Sequence, residues 1–222
     1  MGRDIAFDTP SGSISGWRAD PVEAPRGALV VVQEIFGVNA HMRSVVDRYA
    51  AEGYVALAPA FFDPIERGVE LGYDADGIAR GRELITALGL ERATAIVGAA
   101  AKLLQAEGLK VGVVGFCWGG TVALLANTRL GLPASSYYGG RNLAFLDEPL
   151  RAPMQFHFGE RDHSIPLEAI AEHRERQPGA EVFAYPGAGH AFNREVDPDT
   201  YDAASARLAH ARTMELFGRA LG

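Results

Sequence analysis

The chain has 222 residues, of which 48% are hydrophobic, a size and composition that suit one well-buried domain spanning residues 1–222. Its net charge of −7, without any run of Lys or Arg, argues against nucleic acid or an anionic membrane as partner and favours a small molecule. The single cysteine, the N-terminus without a signal-peptide pattern and the lack of an apolar run of about 20 residues together favour a soluble cytoplasmic protein.

The beginning of the chain predicts an antiparallel hairpin, with residues 4–7 and 13–18 on either side of the turn at 9–12. Beyond it, apolar runs alternate with helical patterns. These runs are typical of strands buried on both faces of a parallel sheet. They lie at residues 28–32, 55–58, 111–114, 134–138, 154–158 and 182–185.

The segments between these strands have helical periodicity. Asn39 is the expected N-cap of a first helix, whose buried face is predicted to consist of Met42, Val45, Val46, Tyr49 and Ala50. Residues 78–104 predict two helices broken near Gly89. The last helix is predicted to bury an apolar face made of Ala204, Leu208, Ala211, Met214, Phe217 and Leu221. This alternation predicts an α/β fold with a mostly parallel sheet and helices on both of its faces.

A buried strand runs directly into a helix-forming segment through the sequence Gly115-Phe116-Cys117-Trp118-Gly119. This pattern is typical of a nucleophile elbow, where the glycines avoid collisions between strand and helix. Cys117 takes the nucleophile position, and the following helix would favour its thiolate and a developing oxyanion. The alternative, a cysteine that serves only as a small buried hydrophobe, is disfavoured by this Gly-x-Cys-x-Gly context.

An acid and a histidine follow two later strands. Asp162 lies just beyond the run at 154–158, and His190 lies just beyond the run at 182–185. The order nucleophile, acid, histidine is that of α/β-hydrolases, and the carboxyl ends of parallel strands share one sheet edge. His190 is expected to accept the thiol proton and Asp162 to fix its tautomer, although each residue alone could be a loop residue. The other histidines lack metal-ligand spacing, so no metal site is predicted.

Several motifs together resemble the dienelactone hydrolase family (carboxymethylenebutenolidases) over nearly the whole chain. They are Gln33-Glu34-Ile35-Phe36-Gly37-Val38-Asn39, Gly115-Phe116-Cys117-Trp118-Gly119-Gly120, Tyr137-Tyr138-Gly139, Gly159-x-x-Asp162 and Gly189-His190-Ala191-Phe192. The resemblance implies that Glu34 hydrogen-bonds the resting thiol and swings away when substrate binds. It also implies an oxyanion hole made by the backbone N–H groups of Ile35 and Trp118.

The substrate pocket is where the chain departs from the family. Phe36 and Tyr137 are candidates for its wall. The family follows its catalytic histidine with a serine and, two residues further, an arginine that holds a substrate carboxylate. Here Ala191 and Asn193 occupy those positions. The candidates for substrate binding are therefore Asn193 and, in place of the family's second arginine, Arg80 or Arg82 after a shift in alignment.

The expected function is cleavage of an ester or lactone through an acyl-thioester on Cys117, without a cofactor. One alternative is a broad carboxylesterase or thioesterase with the same residues, which short p-nitrophenyl esters would reveal. Another is a non-catalytic small-molecule-binding module that keeps the fold. A monomer or weak dimer is expected.

Overall fold

The computed structural model describes residues 2–222 as a mixed α/β chain. It contains two compact units, one running to Gly112 and including Leu221, the other comprising Val113–Ala220 with Gly222. A single domain over residues 1–222 stays a prediction.

Four strands belong to the first unit. They are β1 (Arg3–Thr9), β2 (Gly12–Ala19), β3 (Ala28–Val32) and β4 (Val55–Pro59). Their order is β1-β2-β4-β3, with β2 antiparallel to both of its neighbours and β3 parallel to β4. The predicted N-terminal hairpin is therefore confirmed. All residues of β3 and β4 are buried, as the continuous apolar runs indicated.

Three helices complete this unit: α1 (Ala40–Ala51), α2 (Ala75–Leu88) and α3 (Leu90–Ala106). Asn39 caps α1 as predicted, because its side chain accepts a hydrogen bond from the amide of Met42 at 3.1 Å. The whole predicted apolar face of α1 is buried. Gly89, at a φ of 73°, separates α2 from α3.

Within residues 2–222 no single helix is long and apolar enough to cross a membrane; only α2 and α3 together, bent by 80°, reach that length and composition.

The second unit contains strands in parallel arrangement, in the order β5 (Val111–Phe116, from Val113 onward in this unit), β6 (Ala134–Tyr137), β7 (Met154–Gly159) and β8 (Glu181–Tyr185). Its helices are α4 (Trp118–Leu130), α5 (Leu167–Arg176), α6 (Ala203–Leu221) and a 3₁₀ turn at Asn142–Phe145. Because the strands are parallel, their carboxyl ends share one edge. The loops that leave this edge carry Cys117, Asp162 and His190.

The buried face of α6 differs from the predicted one. Ala204 and Ala211 are exposed, and Leu208 is 46% exposed. The face that packs inward consists of Ser205, Ala206, Ala209, Thr213, Leu216, Phe217 and Leu221. The prediction is confirmed for Phe217 and Leu221 and wrong for Ala204, Leu208 and Ala211. An apolar pattern cannot include Ser205 or Thr213, so in the first half of the helix the predicted stripe followed apolar residues on the solvent-facing side.

Candidate active site

Cys117 lies at the sharp turn between β5 and α4, with φ 54° and ψ −117°. This region is unfavourable for a residue with a side chain, so the surrounding structure must hold it. The Cys117 amide donates to the carbonyl of Tyr137 at 3.0 Å, and the Cys117 carbonyl accepts from the amide of Gly120 at 2.9 Å. The turn has the geometry expected of a nucleophile elbow.

Glycine is required on both sides of this turn. A Cβ on Gly115 would lie 1.9 Å from the carbonyl oxygen of Gly119, and one on Gly120 would lie 2.7 Å from the carbonyl oxygen of Tyr137. Both contacts involve backbone atoms, which cannot move aside cheaply. The close approach of strand and helix therefore depends on the absence of these side chains.

His190 joins the sulfur to a buried carboxylate. Its Nε2 lies 3.2 Å from the Sγ of Cys117, and its Nδ1 lies 2.7 Å from the Oδ2 of Asp162. The side chain of Asp162 is fully buried, and its Oδ1 accepts from the amide of Ser164 at 2.8 Å. Because an ionised carboxylate only accepts hydrogen bonds, Nδ1 is the nitrogen that donates to Asp162, and Nε2 faces the thiol.

The surroundings of His190 favour its charged form. Burial alone lowers the pKa of the imidazole, but the hydrogen bonds with Asp162 and then Cys117 outweigh it and raise the pKa to about 10. An imidazole made this basic, placed between a carboxylate and a sulfur, suits a group that receives the thiol proton.

Backbone strain is concentrated around these residues. Within residues 2–222, the non-glycine residues with positive φ are Cys117, Tyr138 at 40° and Ala191 at 61°. The Tyr138 ring lies 5.1 Å from the His190 ring, and Ala191 directly follows His190. Residue type gives no signal for positive φ at Tyr or Ala, so the sequence did not reveal these two positions.

Trp118 is the first residue of α4 and is buried. The first N–H groups of a helix have no carbonyl partner within it and point along the positive end of its dipole. The Trp118 amide lies at this end of α4, on the residue that follows the nucleophile position, and its role as an oxyanion donor stays a prediction.

A cavity of about 470 Å³ lies beside the acid and the base. Its lining includes Asp162 and His190 together with Arg161, His163 and Tyr201, but not Cys117. The cavity therefore opens onto the acid and the base rather than onto the sulfur. The sequence did not single out Arg161 or Tyr201.

Two predicted substrate-binding residues belong to the same unit as the triad. Tyr137 is only 1% exposed, and its hydroxyl lies 2.8 Å from that of Thr213, so its side chain is part of the core rather than a pocket wall. Asn193 is half-buried, three residues after His190. Its neighbour Arg194 is buried and forms an ion pair with Asp197 at 3.0 Å.

The other predicted residues belong to the first unit. Glu34, Ile35 and Phe36 are buried shortly after β3. Phe36 packs edge-on against Tyr73, with ring centroids 4.7 Å apart. The roles of Glu34 and of the Ile35 amide at the thiol stay predictions.

Arg80 and Arg82 are exposed on α2. Arg80 forms ion pairs with Glu66 and Glu83. Its guanidinium thus already has carboxylate partners within its own unit, which does not favour the predicted contact with a substrate carboxylate. The role of Arg82 stays a prediction.

Comparisons with known proteins agree with the family resemblance of the sequence. The model of the dienelactone hydrolase family matches residues 14–221. The carboxymethylenebutenolidase of Pseudomonas putida is 32% identical over 206 residues, covering 88% of this chain and 86% of its own. A Synechocystis protein provisionally given the same name is 34% identical, covering 92% and 91%. A crystal structure from Klebsiella pneumoniae, provisionally named a dienelactone hydrolase, is 27% identical with a TM-score of 0.84 and covers 99% of both chains. The chain belongs to the dienelactone hydrolase family.

Proposed function

We propose that this hydrolase opens an ester or lactone by attack of Cys117, with His190 as general base and acid and Asp162 as the carboxylate that orients it. The observation that carries the proposal is the series of hydrogen bonds from Asp162 through His190 to Cys117, at 2.7 and 3.2 Å. Base and nucleophile are thus within reach of proton transfer, and the base is held in one tautomer.

In the first half-reaction, Cys117 Sγ attacks the substrate carbonyl carbon while its proton passes to His190 Nε2. The tetrahedral intermediate collapses, the C–O bond breaks, and the leaving alkoxide takes that proton from His190. For a lactone the alcohol stays attached to the acyl group. The product of this step is an acyl-thioester on Cys117.

In the second half-reaction, His190 removes a proton from water, and the hydroxide oxygen attacks the thioester carbonyl. The C–S bond breaks and the sulfur regains its proton from His190, which releases the carboxylic acid. Atoms and charges balance with water as the only co-reactant, so the mechanism uses no cofactor.

The oxyanion of both tetrahedral intermediates is assigned to the backbone amides of Trp118 and Ile35. The position of Trp118 at the start of α4 supports the first donor. The second donor, the Ile35 amide, rests on the family resemblance.

The role of Glu34 as a switchable partner of the resting thiol also rests on that resemblance, and a Glu34→Gln variant tests it. At low pH, we expect the Cys117 thiol to be alkylated more slowly in the wild type than in this variant.

Substrate preference follows from Asn193. A carboxylate buried without a cation partner loses much of its hydration energy, and an amide does not replace the bidentate contact of an arginine. Neutral esters and lactones should therefore be hydrolysed at least as well as carboxylate-bearing dienelactones. This also favours the second candidate function, a carboxylesterase or thioesterase of broad range.

The setting that we propose is the cytoplasm, with a small-molecule substrate and a monomeric or weakly dimeric enzyme. A single cysteine that must stay reduced to act as nucleophile supports a reducing compartment. Size-exclusion chromatography coupled to light scattering would test the oligomeric state.

The experiment that tests the function is hydrolysis of p-nitrophenyl acetate and of a dienelactone by the wild type and by Cys117→Ala. Turnover by the wild type and none by the variant, on at least one of the two substrates, is expected. Equal turnover by both proteins would refute the assignment, and binding without turnover by the wild type would favour a non-catalytic module.

A further inference from the structure

Five polar and aromatic side chains form a buried cluster in the second unit that the proposed mechanism does not use. The members, here called the Thr213 cluster, come from β6, β7, β8 and α6 and are at most 2% exposed. They are Ser135, Tyr137, His157, Tyr185 and Thr213. Burying so many polar groups is costly unless each is hydrogen-bonded, so their arrangement calls for a specific role.

The hydroxyl of Thr213 is the centre of this cluster. Its Oγ1 lies 2.9 Å from the Ser135 Oγ, 2.8 Å from the Tyr137 hydroxyl and 3.3 Å from the Nε2 of His157. The Nδ1 of His157 lies 2.7 Å from the Tyr185 hydroxyl. A threonine hydroxyl has one hydrogen to donate and two lone pairs, so three contacts use its full capacity. One side chain of α6 thereby links β6 and β7 directly, and β8 through His157.

The His157 ring keeps the same protonation state, and therefore the same hydrogen bonds, around neutral pH. Burial, with a further contribution from the positive charge of Arg212, lowers the pKa of His157 to about 3. The ring is therefore neutral near pH 7, with one donor and one acceptor nitrogen. The ring also packs against two neighbours, tilted by 30° to Tyr137 with centroids 4.6 Å apart and stacked on Tyr185 with centroids 5.9 Å apart.

The same residues hold the nucleophile and the residue beside the base through their backbones. The Tyr137 carbonyl accepts from the amide of Cys117 at 3.0 Å. The His157 carbonyl accepts from the amide of Tyr138 at 2.8 Å, and the Tyr138 ring lies 5.1 Å from the His190 ring. A shift of either strand end would thus move a residue that touches the reacting groups.

Tyr185 holds the two remaining loops. Its carbonyl accepts from the amide of Glu160 at 3.1 Å and from that of Ala188 at 3.3 Å. Glu160 precedes Asp162 by two residues, and Ala188 precedes His190 by two residues. The Thr213 hydroxyl thus links Tyr137, His157 and Tyr185, directly or through His157. The backbone carbonyls of these residues accept hydrogen bonds from Cys117 and from residues near Asp162 and His190.

We propose that Thr213 is a positioning residue, whose hydroxyl fixes the ends of β6, β7 and β8 in the mutual register that places Cys117, Asp162 and His190 for reaction. The inference deepens the proposed function and rests on it. Thr213 touches no substrate; it acts through Tyr137, His157 and Tyr185.

The test is Thr213→Val, which removes the hydroxyl and keeps a branched side chain of similar size. We expect kcat for p-nitrophenyl acetate to fall by about tenfold or more, because small misplacements of reacting groups cost rate steeply, while KM changes by less than about twofold. Thr213→Ser, which restores the hydroxyl, should recover most of the lost kcat. A Thr213→Val enzyme that is folded and keeps more than half of the wild-type kcat would overturn the proposal.

Thr128→Val is the matched control in the same unit. The Thr128 hydroxyl is also buried and donates to Glu148 at 2.7 Å, at the far end of α4 from Cys117. This variant should lose stability, seen as a lower melting temperature, and leave kcat unchanged. An equal fall of kcat in both variants would mean that Thr213 only stabilises the fold, and it would contradict the proposal.

A second readout does not depend on ester turnover. The rate at which iodoacetamide alkylates Cys117 at pH 7 reports the contact between sulfur and imidazole. It should fall about tenfold in Thr213→Val, as expected when base assistance is lost, and stay constant in Thr128→Val. The two readouts separate the two claims. A wild type that hydrolyses no ester would refute the proposed function, whereas unchanged alkylation in Thr213→Val would refute the positioning role.

If Thr213→Val does not fold, Tyr137→Phe and Tyr185→Phe carry the test, because each removes one hydroxyl of the cluster and keeps the ring. Each should lower kcat about threefold, and the double variant should lose less than the product of the single losses, since both act on one network. Unchanged kcat in both single variants, or fully multiplicative losses, would overturn the proposal.

Discussion

The Nε2 of His190 lies 3.2 Å from the Sγ of Cys117, so base and nucleophile are within hydrogen-bond reach of each other. The contact depends on strain at both ends, because Cys117 has positive φ and so does Ala191, the residue after the histidine. Such strain persists only where the surrounding structure enforces it. The geometry of the pair, rather than either residue alone, is what makes this site a candidate for thiol chemistry.

Replacement of the nucleophile gives the simplest prediction. Cys117→Ala should have no measurable esterase activity, and Cys117→Ser should fold but lose most activity, since a hydroxyl needs stronger base assistance than a thiol. Initial rates on p-nitrophenyl acetate, with circular dichroism as the folding control, are the measurement. Turnover near the wild-type rate in the alanine variant would remove Cys117 from the mechanism.

The base should act as one unit with the nucleophile. His190→Ala is expected to lose about as much kcat as Cys117→Ala, and the double variant should be little worse than either single variant. Steady-state kinetics of the three proteins measure this. Losses that multiply would mean that the two residues act independently.

The charge on His190 also predicts how stability depends on pH. Its folded-state pKa of about 10 lies above the roughly 6.5 of an unfolded histidine, so the folded state binds the proton more tightly. The stability that this charge contributes is fully present below about pH 6.5 and is lost as pH rises toward about 10. Urea unfolding of the wild type and His190→Gln should show the wild-type advantage shrinking over this range. An advantage that grows with pH would contradict the assigned ion pair.

Asn193 provides the specificity prediction. Asn193→Arg should improve kcat/KM for a carboxylate-bearing substrate by roughly 1–3 kcal/mol, the usual value of a charge-assisted hydrogen bond, with little change for a matched neutral substrate. Asn193→Gln, longer but uncharged, is the control and should improve neither. A wild-type preference for the anion that Arg194→Ala abolishes would assign the cation role to Arg194 instead.

The elbow glycine supplies a stability prediction. In Gly115→Ala the new Cβ would lie 1.9 Å from a backbone oxygen, so the variant should lose activity and roughly 2 kcal/mol or more of unfolding free energy. Gly179→Ala is the control, since no heavy atom outside its two chain neighbours lies within 4 Å of its added Cβ. Denaturant unfolding of both variants measures the difference, and equal stability would show that the elbow tolerates a side chain.

The triad could be predicted because its residues follow buried strands, whose apolar runs are easy to recognise, and because the elbow requires glycine at a fixed spacing. The Thr213 cluster could not, because a buried threonine looks like a surface residue until its hydrogen-bond partners on other strands are known. The same limit misplaced the buried face of α6. Tyr137 was assigned to the pocket because it is an aromatic residue at a strand end, whereas its hydroxyl is bound by Thr213 in the core.

The measurement that tests the account most directly is identification of the acyl-enzyme. Wild-type protein mixed with p-nitrophenyl acetate and quenched in acid within the first turnover should carry one acetyl group, located on Cys117 by peptide mass spectrometry and released by hydroxylamine at neutral pH, as a thioester is. Cys117→Ala should carry none. Steady turnover by the wild type without an adduct on Cys117, or with the acetyl group on another residue, would contradict the mechanism.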